Sequence, residues 1–593
     1  MTPDEDVLGK AYDARLLRRL LRYLLPYRWS AALALLAISA SAALQLVQPW
    51  LTKLLIDRYI AAGDLRGIDW VALALLSVLA ASFVMEYAQT WLMQLTGQRI
   101  MFDMRMQVYE HLQRLSLPFY DRNPVGRLMT RVTNDVDVLN ELFSAGVVSV
   151  FGDMFMLVGI ALVLMAMDWR LALVTFSVLP LIAWITQWFR RHVRDSYREV
   201  RVWLARINAT LQENIAGMST VQLFRREDRN FEAFDTINRA HRDANVTGIF
   251  YYAVFYPVVE VIAALATALI IWWGGRWTLE GTLTLGSLVA FLLYSRRFFQ
   301  PISDLSEKFN MLQSAMAASE RIFTLLDTPV TVGAPVRPAA RPPGGAGRIV
   351  FERVWFAYHG DEYVLRDVSF EVSPGERVGV VGATGAGKST IISLLLRFYD
   401  VTRGRITVDG VDIRDLAVSD LRGLFGLVLQ DVHLFSGTIA SNIRLGDATI
   451  SDEAVRAAAR AVRADTFIGR LPDGFDTPVA ERGAALSVGQ KQLLSFARAL
   501  AFEPRILILD EATSSVDTET ELLIRDALAV LMRGRTTIAI AHRLSTIQGM
   551  DKILVMHKGT LRETGRHQEL LALRGIYHRL YQLQYREQEV GLP

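Results

Sequence analysis

The chain has 593 residues, which is too long for one domain, so its length predicts several domains. It contains no cysteine, which excludes disulfides, thiolate metal sites and thiol catalysis. Its hydrophobic content of 52% is high for a soluble protein, and its net charge of +3 gives no sign of a nucleic-acid partner.

Six apolar stretches occupy the first half of the chain. They lie at about Ser30–Ile56, Trp70–Leu92, Glu141–Met167, Leu171–Phe189, Tyr252–Gly274 and Leu283–Phe299. Most reach the ~20 residues that a helix needs to cross ~30 Å of hydrocarbon. Because six such runs are hard to bury in a soluble protein, we predict a membrane domain of six helices.

The distribution of Lys and Arg predicts how these helices are oriented. If the N-terminus is cytoplasmic, the three inner segments carry 23 Lys and Arg and the three outer segments carry 5. Such a bias marks the cytoplasmic side. Asp13–Leu24 has arginines among leucines, which favours an amphipathic helix on the inner surface. We therefore expect a multi-pass protein of the inner (cytoplasmic) membrane with a cytoplasmic C-terminal half.

Two long cytoplasmic segments have helical patterns with a turn-like centre, at Pro118–Gly126 and Asn214–Ser219. We expect the membrane helices to extend into the cytosol and to turn there. The two turns are either ordinary loops or contacts that carry motion between the two halves of the protein.

Five ionisable residues fall inside the apolar stretches: Glu86, Asp153, Glu260, Arg296 and Arg297. Each costs about 2.5–3.5 kcal/mol on insertion scales, so each should face protein or water. They form either a polar translocation cavity or structural salt bridges, and they do not identify a substrate.

A Pro- and Gly-rich segment separates the two halves. Pro329–Gly347 contains five of the 18 prolines and four glycines. We therefore predict an N-terminus with an elbow helix at 1–26, the membrane domain at 27–327, a linker at 328–347 and a second domain at 348–593. In this last domain β-branched runs alternate with helical patterns, which predicts an α/β fold with a largely parallel sheet.

A phosphate-loop motif stands near the start of the α/β domain. Gly382-Ala383-Thr384-Gly385-Ala386-Gly387-Lys388-Ser389 fits G-x-x-x-x-G-K-[ST], between a predicted buried strand at Arg377–Val381 and a predicted helix at Ser389–Arg397. The glycines let backbone N–H groups wrap the phosphates, Lys388 adds a charge, and Ser389 offers a hydroxyl to Mg²⁺. The fold class is therefore six long transmembrane helices followed by an α/β phosphate-loop ATPase domain.

A second predicted strand, Arg505–Asp510, ends in a carboxylate. This is the context of the Mg²⁺-associated acid in phosphate-loop nucleotidases. Glu511 follows directly and can turn toward the γ-phosphate to orient water. Taken alone, the acidic pair could also be a solvated strand end.

These motifs, with Leu486-Ser487-Val488-Gly489-Gln490 and His542, resemble a half-transporter of the ATP-binding-cassette (ABC) superfamily. The resemblance is to the exporter type and covers about residues 15–590. It implies ATP and Mg²⁺ as cofactors, hydrolysis of ATP coupled to transport, and a dimer with a second half-transporter.

The resemblance also implies a role for each motif residue. Tyr358 would stack on adenine, Leu486–Gln490 would bind the γ-phosphate held by the opposite subunit, and Thr477–Gly483 would touch the coupling turns. The implied ATP-site residues are Tyr358, Gly382, Thr384, Gly385, Ala386, Gly387, Lys388, Ser389, Thr390 and Asp510, with Ser389 and Gln430 on Mg²⁺, Asp517 in the D-loop, and Glu511, His542 and Gln430 in catalysis.

One residue departs from the family pattern, because Val488 replaces the first glycine of the signature L-S-G-G-Q. Glycine reaches unusual φ values at low cost and valine does not. In the family, an altered signature beside a complete catalytic set often marks one half of a heterodimer. The partner then supplies an intact signature and carries a weakened acid. We favour such a heterodimer over a homodimer in which valine is tolerated.

The resemblance implies ATP-driven export of an amphipathic lipid, drug or peptide by alternating access. Lipid or drug is slightly favoured because the apolar stretches are rich in aromatic residues, and membrane lipid is an expected partner. An importer with exporter architecture and a nucleotide-gated channel or regulator remain alternatives. A soluble cassette ATPase acting on nucleic acid is disfavoured by the six apolar stretches.

Overall fold

The computed structural model describes residues 14–333, 335, 337–340, 345–480, 483, 485–510, 518–540 and 544–590. The chain divides into two compact units. The first holds residues 1–113 and 125–328, and the second holds residues 114–124 and 329–593. The first unit is helical and the second is α/β, as predicted.

The helices of the first unit include all six predicted apolar stretches. They are α1 (Ala14–Arg22), α2 (Arg28–Leu54), α3 (Leu65–Arg114), α5 (Val125–Val132), α6 (Asn134–Glu141), α7 (Val147–Met167), α8 (Trp169–Phe176), α9 (Leu179–Ala216), α10 (Met218–Leu223), α11 (Glu227–Leu269), α12 (Gly275–Leu279) and α13 (Leu285–Leu326), while α4 (Leu117–Arg122) belongs to the second unit. Within the described residues, five helical segments have the length and hydropathy of a membrane span. The sixth predicted stretch lies mostly in α13.

Four of these helices are longer than a bilayer requires. Helices α3, α9, α11 and α13 contain 50, 38, 43 and 42 residues. At 1.5 Å per residue each is about 57–75 Å long, against a hydrocarbon core of about 30 Å. The predicted extension of the membrane helices beyond the bilayer is therefore present. The two turn-like stretches contain short helices, α4 in the first and the start of α10 after Gly217 in the second.

The core of the first unit lies among α7, α8, α9, α11 and α13. Its fully buried side chains include Ile160, Phe291 and Tyr294. Ion pairs join the same helix α13 to its neighbours. Arg321 donates two hydrogen bonds to the buried Asp135 of α6, at 3.0 and 2.6 Å, and thereby fixes α13 against α6.

Two of the five intramembrane charges have protein partners. Asp153 forms an ion pair with Lys308, which supports the salt-bridge interpretation for that residue. Arg297 donates to two neutral oxygens of α2, the Gln45 carbonyl and the Gln48 side chain. Glu86, Glu260 and Arg296 are exposed on the single chain.

The second unit contains two sheets. Its strands are β1 (Ile349–Ala357), β2 (Tyr363–Val372), β3 (Arg377–Val381), β4 (Arg403–Val408), β5 (Val411–Asp412), β6 (Phe425–Val428), β7 (Gly437–Thr438), β8 (Pro478–Val479), β9 (Ile506–Asp510), β10 (Thr536–Ile540), β11 (Lys552–His557) and β12 (Thr560–Gly565). The larger sheet has the order β12-β11-β3-β10-β9-β6 and is parallel except for its edge strand β12. An antiparallel sheet has the order β2-β1-β4-β5 and was not predicted.

Helices connect most of these strands and follow the last of them. Besides α4, they are α14 (Lys388–Leu395), α15 (Val418–Arg422), α16 (Ile439–Arg444), α17 (Asp452–Ala461), α18 (Asp465–Ile468), α19 (Val488–Ala501), α20 (Thr518–Met532), α21 (Leu544–Gln548), α22 (His567–Ala572) and α23 (Ile576–Val590).

The parallel sheet is buried on both faces because its strands are apolar at successive positions. Along β9, Ile506 and Ile508 join one hydrophobic core, whereas Leu507 and Leu509 join the other. This alternation follows from the two-residue period of a strand. The double burial makes the sheet a rigid base for the loops at its carboxyl edge.

Replacing Phe351 by alanine should destabilise the second unit. The Phe351 ring is 1% exposed and stacks on Phe370 with the ring centroids 4.4 Å apart. Removing such a ring costs about 3–5 kcal/mol, or roughly 6–20 °C in melting temperature for a domain of this size. Scanning fluorimetry of the purified full-length chain measures this change. Phe502→Ala, at a 42% exposed position, is the control and should leave the melting temperature nearly unchanged.

Candidate functional site

The phosphate loop connects β3 to α14, as the motif predicted. Gly382, Gly385 and Gly387 all have positive φ, of 155°, 79° and 97°. A Cβ at Gly382 would lie 2.4 Å from the Met556 carbonyl oxygen, and one at Gly387 would lie 2.6 Å from the Leu365 side chain. These positions therefore require glycine for both conformation and space. The resulting loop exposes backbone amides at the start of α14, an arrangement that suits phosphate.

Lys388 is the first residue of α14 and is only 7% exposed. Its ammonium donates hydrogen bonds to the carbonyl oxygens of Gly382 and Ala383, at 2.8 and 3.1 Å. The side chain therefore curls back over the loop. Burial lowers the pKa of Lys388, and the nearby Asp510 carboxylate opposes that change.

The topology brings the other motif segments to one edge of the sheet. The order β3-β10-β9-β6 is parallel, so the carboxyl ends of these four strands lie side by side. The phosphate loop follows β3, Asp510 ends β9, and the exposed Gln430 follows β6. The positions of Glu511 and Asp517 after β9, and of His542 after β10, lie outside the described residues. Ligands of parallel α/β sheets bind at this carboxyl edge.

Tyr358 lies beside the phosphate loop, one residue after β1. Its hydroxyl is 3.1 Å from the hydroxyl of Thr390, in the first turn of α14. The ring is half-buried and meets Phe356 edge-on, with the centroids 4.8 Å apart. A flat aromatic surface next to the phosphate loop is suited to stacking on a purine base.

Tyr399, which the sequence did not single out, extends this aromatic group. Tyr399 meets Tyr358 at right angles, with the ring centroids 5.0 Å apart. The Tyr399 hydroxyl donates a hydrogen bond to Asp121, which belongs to α4 and hence to the same unit. Burial, followed by this hydrogen bond, raises the pKa of Tyr399. No motif includes Tyr399, whereas Asp121 lies in the turn-like stretch Pro118–Gly126.

The signature segment forms the start of α19. Ser487 caps this helix, because its hydroxyl accepts from the Gln490 amide at 3.2 Å and the Gln490 side chain accepts from the Ser487 amide at 2.9 Å. Val488 is the first helical residue and is 58% exposed, and Gly489 is buried. The structure therefore corrects the conformational argument about Val488. A helical position suits valine, so any effect must come from the bulk of its exposed side chain.

The segment Thr477–Gly483 is described only in part. Pro478–Val479 forms β8, which pairs with β7, and Gly483 has a positive φ of 62°. Glu481 and Arg482 lie outside the described residues.

Two family models match the chain. The model of the ABC transporter transmembrane region matches residues 31–302, and the ABC transporter model matches residues 365–514. The chain is 39% identical to the uncharacterized ABC transporter ATP-binding protein YknV of Bacillus subtilis, over 98% of this chain and 96% of that protein. It is 40% identical to a fatty acid ABC transporter ATP-binding/permease protein of Mycobacterium bovis, over 87% of this chain and 82% of that protein.

A solved structure of an ABC exporter is also similar to this chain. A bacterial Atm1-family ABC exporter with ATP bound matches with a TM-score of 0.78 and 30% identity, over 96% of this chain and 99% of that one. Exporters of this family act as dimers. With the six predicted spans, the phosphate loop and matches over nearly the whole length, the chain belongs to the ABC exporters: it is a multi-pass membrane protein whose cytoplasmic domain binds ATP and couples its hydrolysis to transport.

Proposed function

We propose that this chain is the catalytically complete half of an asymmetric ABC exporter that moves an amphipathic substrate out of the cytoplasm. The observation that carries the proposal is the phosphate loop at the carboxyl edge of the sheet, joined in the same chain to a signature altered at Val488.

Within this proposal, each residue of the ATP site acts where its strand or helix holds it. The amides of Gly385 and Gly387 and the Lys388 ammonium bind the β- and γ-phosphates. Mg²⁺ would be held by the Ser389 hydroxyl and the Gln430 side chain, where it would neutralise phosphate charge. The hydroxyl at the start of α14 and the amide oxygen beyond β6 are hard oxygen donors of the kind that this ion prefers.

The remaining roles fall on segments around the same edge. Tyr358 stacks on adenine, supported by its contact with Thr390. Asp510 would be the acid associated with Mg²⁺. Glu511 orients the attacking water, and His542 contacts the γ-phosphate. Asp517 belongs to the contact with the second subunit.

The substrate class is supported by the relatives and by the membrane unit. One relative is named as a fatty acid transporter. In this chain several large aromatic side chains are exposed on the membrane helices, among them Trp91, Tyr256 and Trp272. Aromatic rings with a polar edge favour amphipathic molecules. We therefore favour a lipid or lipid-like compound over a peptide.

The position of Val488 supports the proposed heterodimer. Its isopropyl group projects from the N-terminal turn of α19, where the family places the γ-phosphate of the opposite subunit's ATP. Glycine there lets backbone amides approach a phosphate closely, and a branched side chain occupies that space. The signature of this chain would then bind the ATP of the opposite subunit poorly. The ATP held by this chain would be bound by an intact signature from a different subunit.

Subunit composition and ATPase activity of the purified chain in lipid test this proposal. We expect low activity from the chain alone, restored by co-expression with a second half-transporter carrying an L-S-G-G-Q signature. In the chain alone, Val488→Gly should raise the activity at least several-fold. A homodimer with ordinary activity that Val488→Gly leaves unchanged would contradict the asymmetric arrangement.

We propose that Tyr399 helps to couple ATP binding to the membrane helices. It contacts Tyr358 with its ring and Asp121 with its hydroxyl, and α4 stands in the sequence between two membrane stretches. Tyr399→Phe keeps the ring and removes one hydrogen bond to a carboxylate, worth about 1.5–3 kcal/mol. We expect unchanged ATP affinity and a several-fold lower stimulation of ATPase activity by substrate.

Tyr363→Phe provides the matched control for Tyr399→Phe. Within the described residues, the Tyr363 hydroxyl forms no hydrogen bond, so this variant should behave as the parent. Equal substrate stimulation in Tyr399→Phe and Tyr363→Phe would refute the role of the Asp121 contact.

A further inference from the structure

A groove in the membrane unit lies between α2, α3 and α13. It has a volume of about 510 Å³, and its wall is mostly apolar, with Leu75, Leu76 and Leu79 from α3 and Leu293 from α13. The lining also includes Gln48 of α2 and Arg297 of α13. The groove thus combines an apolar wall with one cationic side chain.

Arg297 is held in place by neutral oxygens. Its guanidinium donates to the Gln45 carbonyl oxygen at 2.5 Å and to the Gln48 side-chain oxygen at 2.6 Å. A guanidinium has five N–H donors, so these bonds engage only two of them. No carboxylate of the described residues forms an ion pair with Arg297. Among the described residues, its charge is therefore oriented but not neutralised.

Two other basic residues of α13 differ from Arg297 because each forms an ion pair with a carboxylate. Lys308 pairs with Asp153, and Arg321 pairs with Asp135. Neutralisation by a carboxylate is thus how this helix accommodates those charges. A half-buried arginine that lacks such a partner presents a binding position for an anion.

The groove lies within the predicted spans. Leu75 is five residues beyond the start of the predicted stretch Trp70–Leu92, and Arg297 is two residues before the end of Leu283–Phe299. At 1.5 Å per residue, these positions are about 8 Å and about 3 Å from the nearer ends of their stretches. Arg297 therefore lies near the predicted cytoplasmic end of its span, where the charged group of an amphiphile can stay close to water.

We propose that this groove binds a long-chain fatty acid, with its carboxylate on Arg297 and Gln48 and its acyl chain along the four leucines. A carboxylate matches the guanidinium in charge and in planar geometry. The groove volume lies in the lower half of the range for ligand pockets, roughly 300–1,000 Å³, which suits one chain better than two. The assignment rests on the proposed export of an amphipathic substrate, and it names the substrate and its position.

Equilibrium binding of radiolabelled oleate to the full-length chain, in nanodiscs of zwitterionic lipid without nucleotide, tests the proposal. We expect saturable binding of one oleate per chain. Oleyl alcohol and oleylamine, which have the same chain without the negative charge, should compete at least tenfold more weakly. Dioleoyl phosphatidate, an anion with two chains, should also compete poorly. Equal competition by oleyl alcohol, or stronger competition by phosphatidate, would overturn the assignment.

Variants in the charged and in the apolar lining of the groove separate the effect of charge from an effect on folding. Arg297→Gln should weaken oleate binding at least tenfold, and Arg297→Lys should weaken it less because it keeps the charge. Arg296→Gln, at the exposed neighbouring position, is the matched control and should bind oleate as the parent does. Leu79→Trp fills part of the apolar wall without replacing Arg297 and should also reduce binding, even if Arg297→Gln proves unstable. Parental affinity in Leu79→Trp, or in a folded Arg297→Gln, would overturn the proposal.

The binding assay distinguishes this inference from the proposed function. If the transporter moves another amphiphile with ATP but binds no oleate, the groove assignment alone fails. If oleate binds in an Arg297-dependent manner but ATP drives no transport of any amphiphile, the proposed export fails and the binding site stands.

Discussion

Glu511→Gln is expected to reduce ATP hydrolysis roughly 10²–10⁴-fold, the usual contribution of a positioned general base. The amide has nearly the same shape as the carboxylate and cannot accept a proton from water. Binding of ATP should persist, because the phosphate loop and Lys388 are unchanged. Steady-state phosphate release and equilibrium binding of a fluorescent ATP analogue measure the two effects separately.

Glu453→Gln is the control for this change. Glu453 is exposed in the first turn of α17, and the same substitution there should leave hydrolysis unchanged. Near-parental turnover in Glu511→Gln would show that another residue serves as the base.

Lys388→Ala should act on binding and on hydrolysis together. The buried ammonium is held over the phosphate loop by two carbonyl oxygens, so its removal deletes a fixed positive charge next to the phosphates. A hydrogen bond to a charged group contributes about 1.5–3 kcal/mol, which corresponds to roughly 10–150-fold in ATP affinity. Equilibrium binding of ATP to the purified variant measures this loss.

Lys558→Ala is the control for a general effect of removing one lysine from this domain. Lys558 is exposed in the turn between β11 and β12, and its removal should not change ATP affinity. Unchanged affinity in Lys388→Ala would mean that the backbone amides of the loop bind the phosphates without the lysine.

The strands and the parallel sheet could be predicted from short sequence patterns. The strand Arg377–Val381 has the predicted bounds, and the predicted strand ending at Asp510 differs by one residue at its start. Both strands are short apolar runs bounded by glycines or acids. The ends of each apolar run therefore mark the ends of the strand. The parallel sheet then follows, because buried strands alternate with helices.

Contacts between distant residues could not be predicted from the sequence. The antiparallel sheet pairs β1 with β4, for example Ile349 with Val408, and no local turn joins the two strands. The contact of Tyr399 with Asp121 spans 278 positions, and neither residue belongs to a motif. Arg297 was visible as an intramembrane charge, but its neutral partners on α2 were not.

Val488 differs from the expectation for another reason. A glycine in a motif was taken to indicate an unusual backbone conformation, whereas the position is the first residue of an ordinary helix. Space for an approaching phosphate is then the property that glycine provides there.

ATP-driven movement of a labelled amphiphile, such as a fluorescent fatty acid, into proteoliposomes is the decisive test of export by this chain. The chain, with its partner half-transporter where activity requires one, is reconstituted so that ATP added outside reaches the nucleotide-binding domains. We predict accumulation inside the vesicles that requires hydrolysable ATP and disappears in Glu511→Gln. Movement out of the vesicles would indicate an importer. Equally fast movement with a non-hydrolysable analogue would indicate a nucleotide-gated channel, and either result would contradict an ATP-driven exporter.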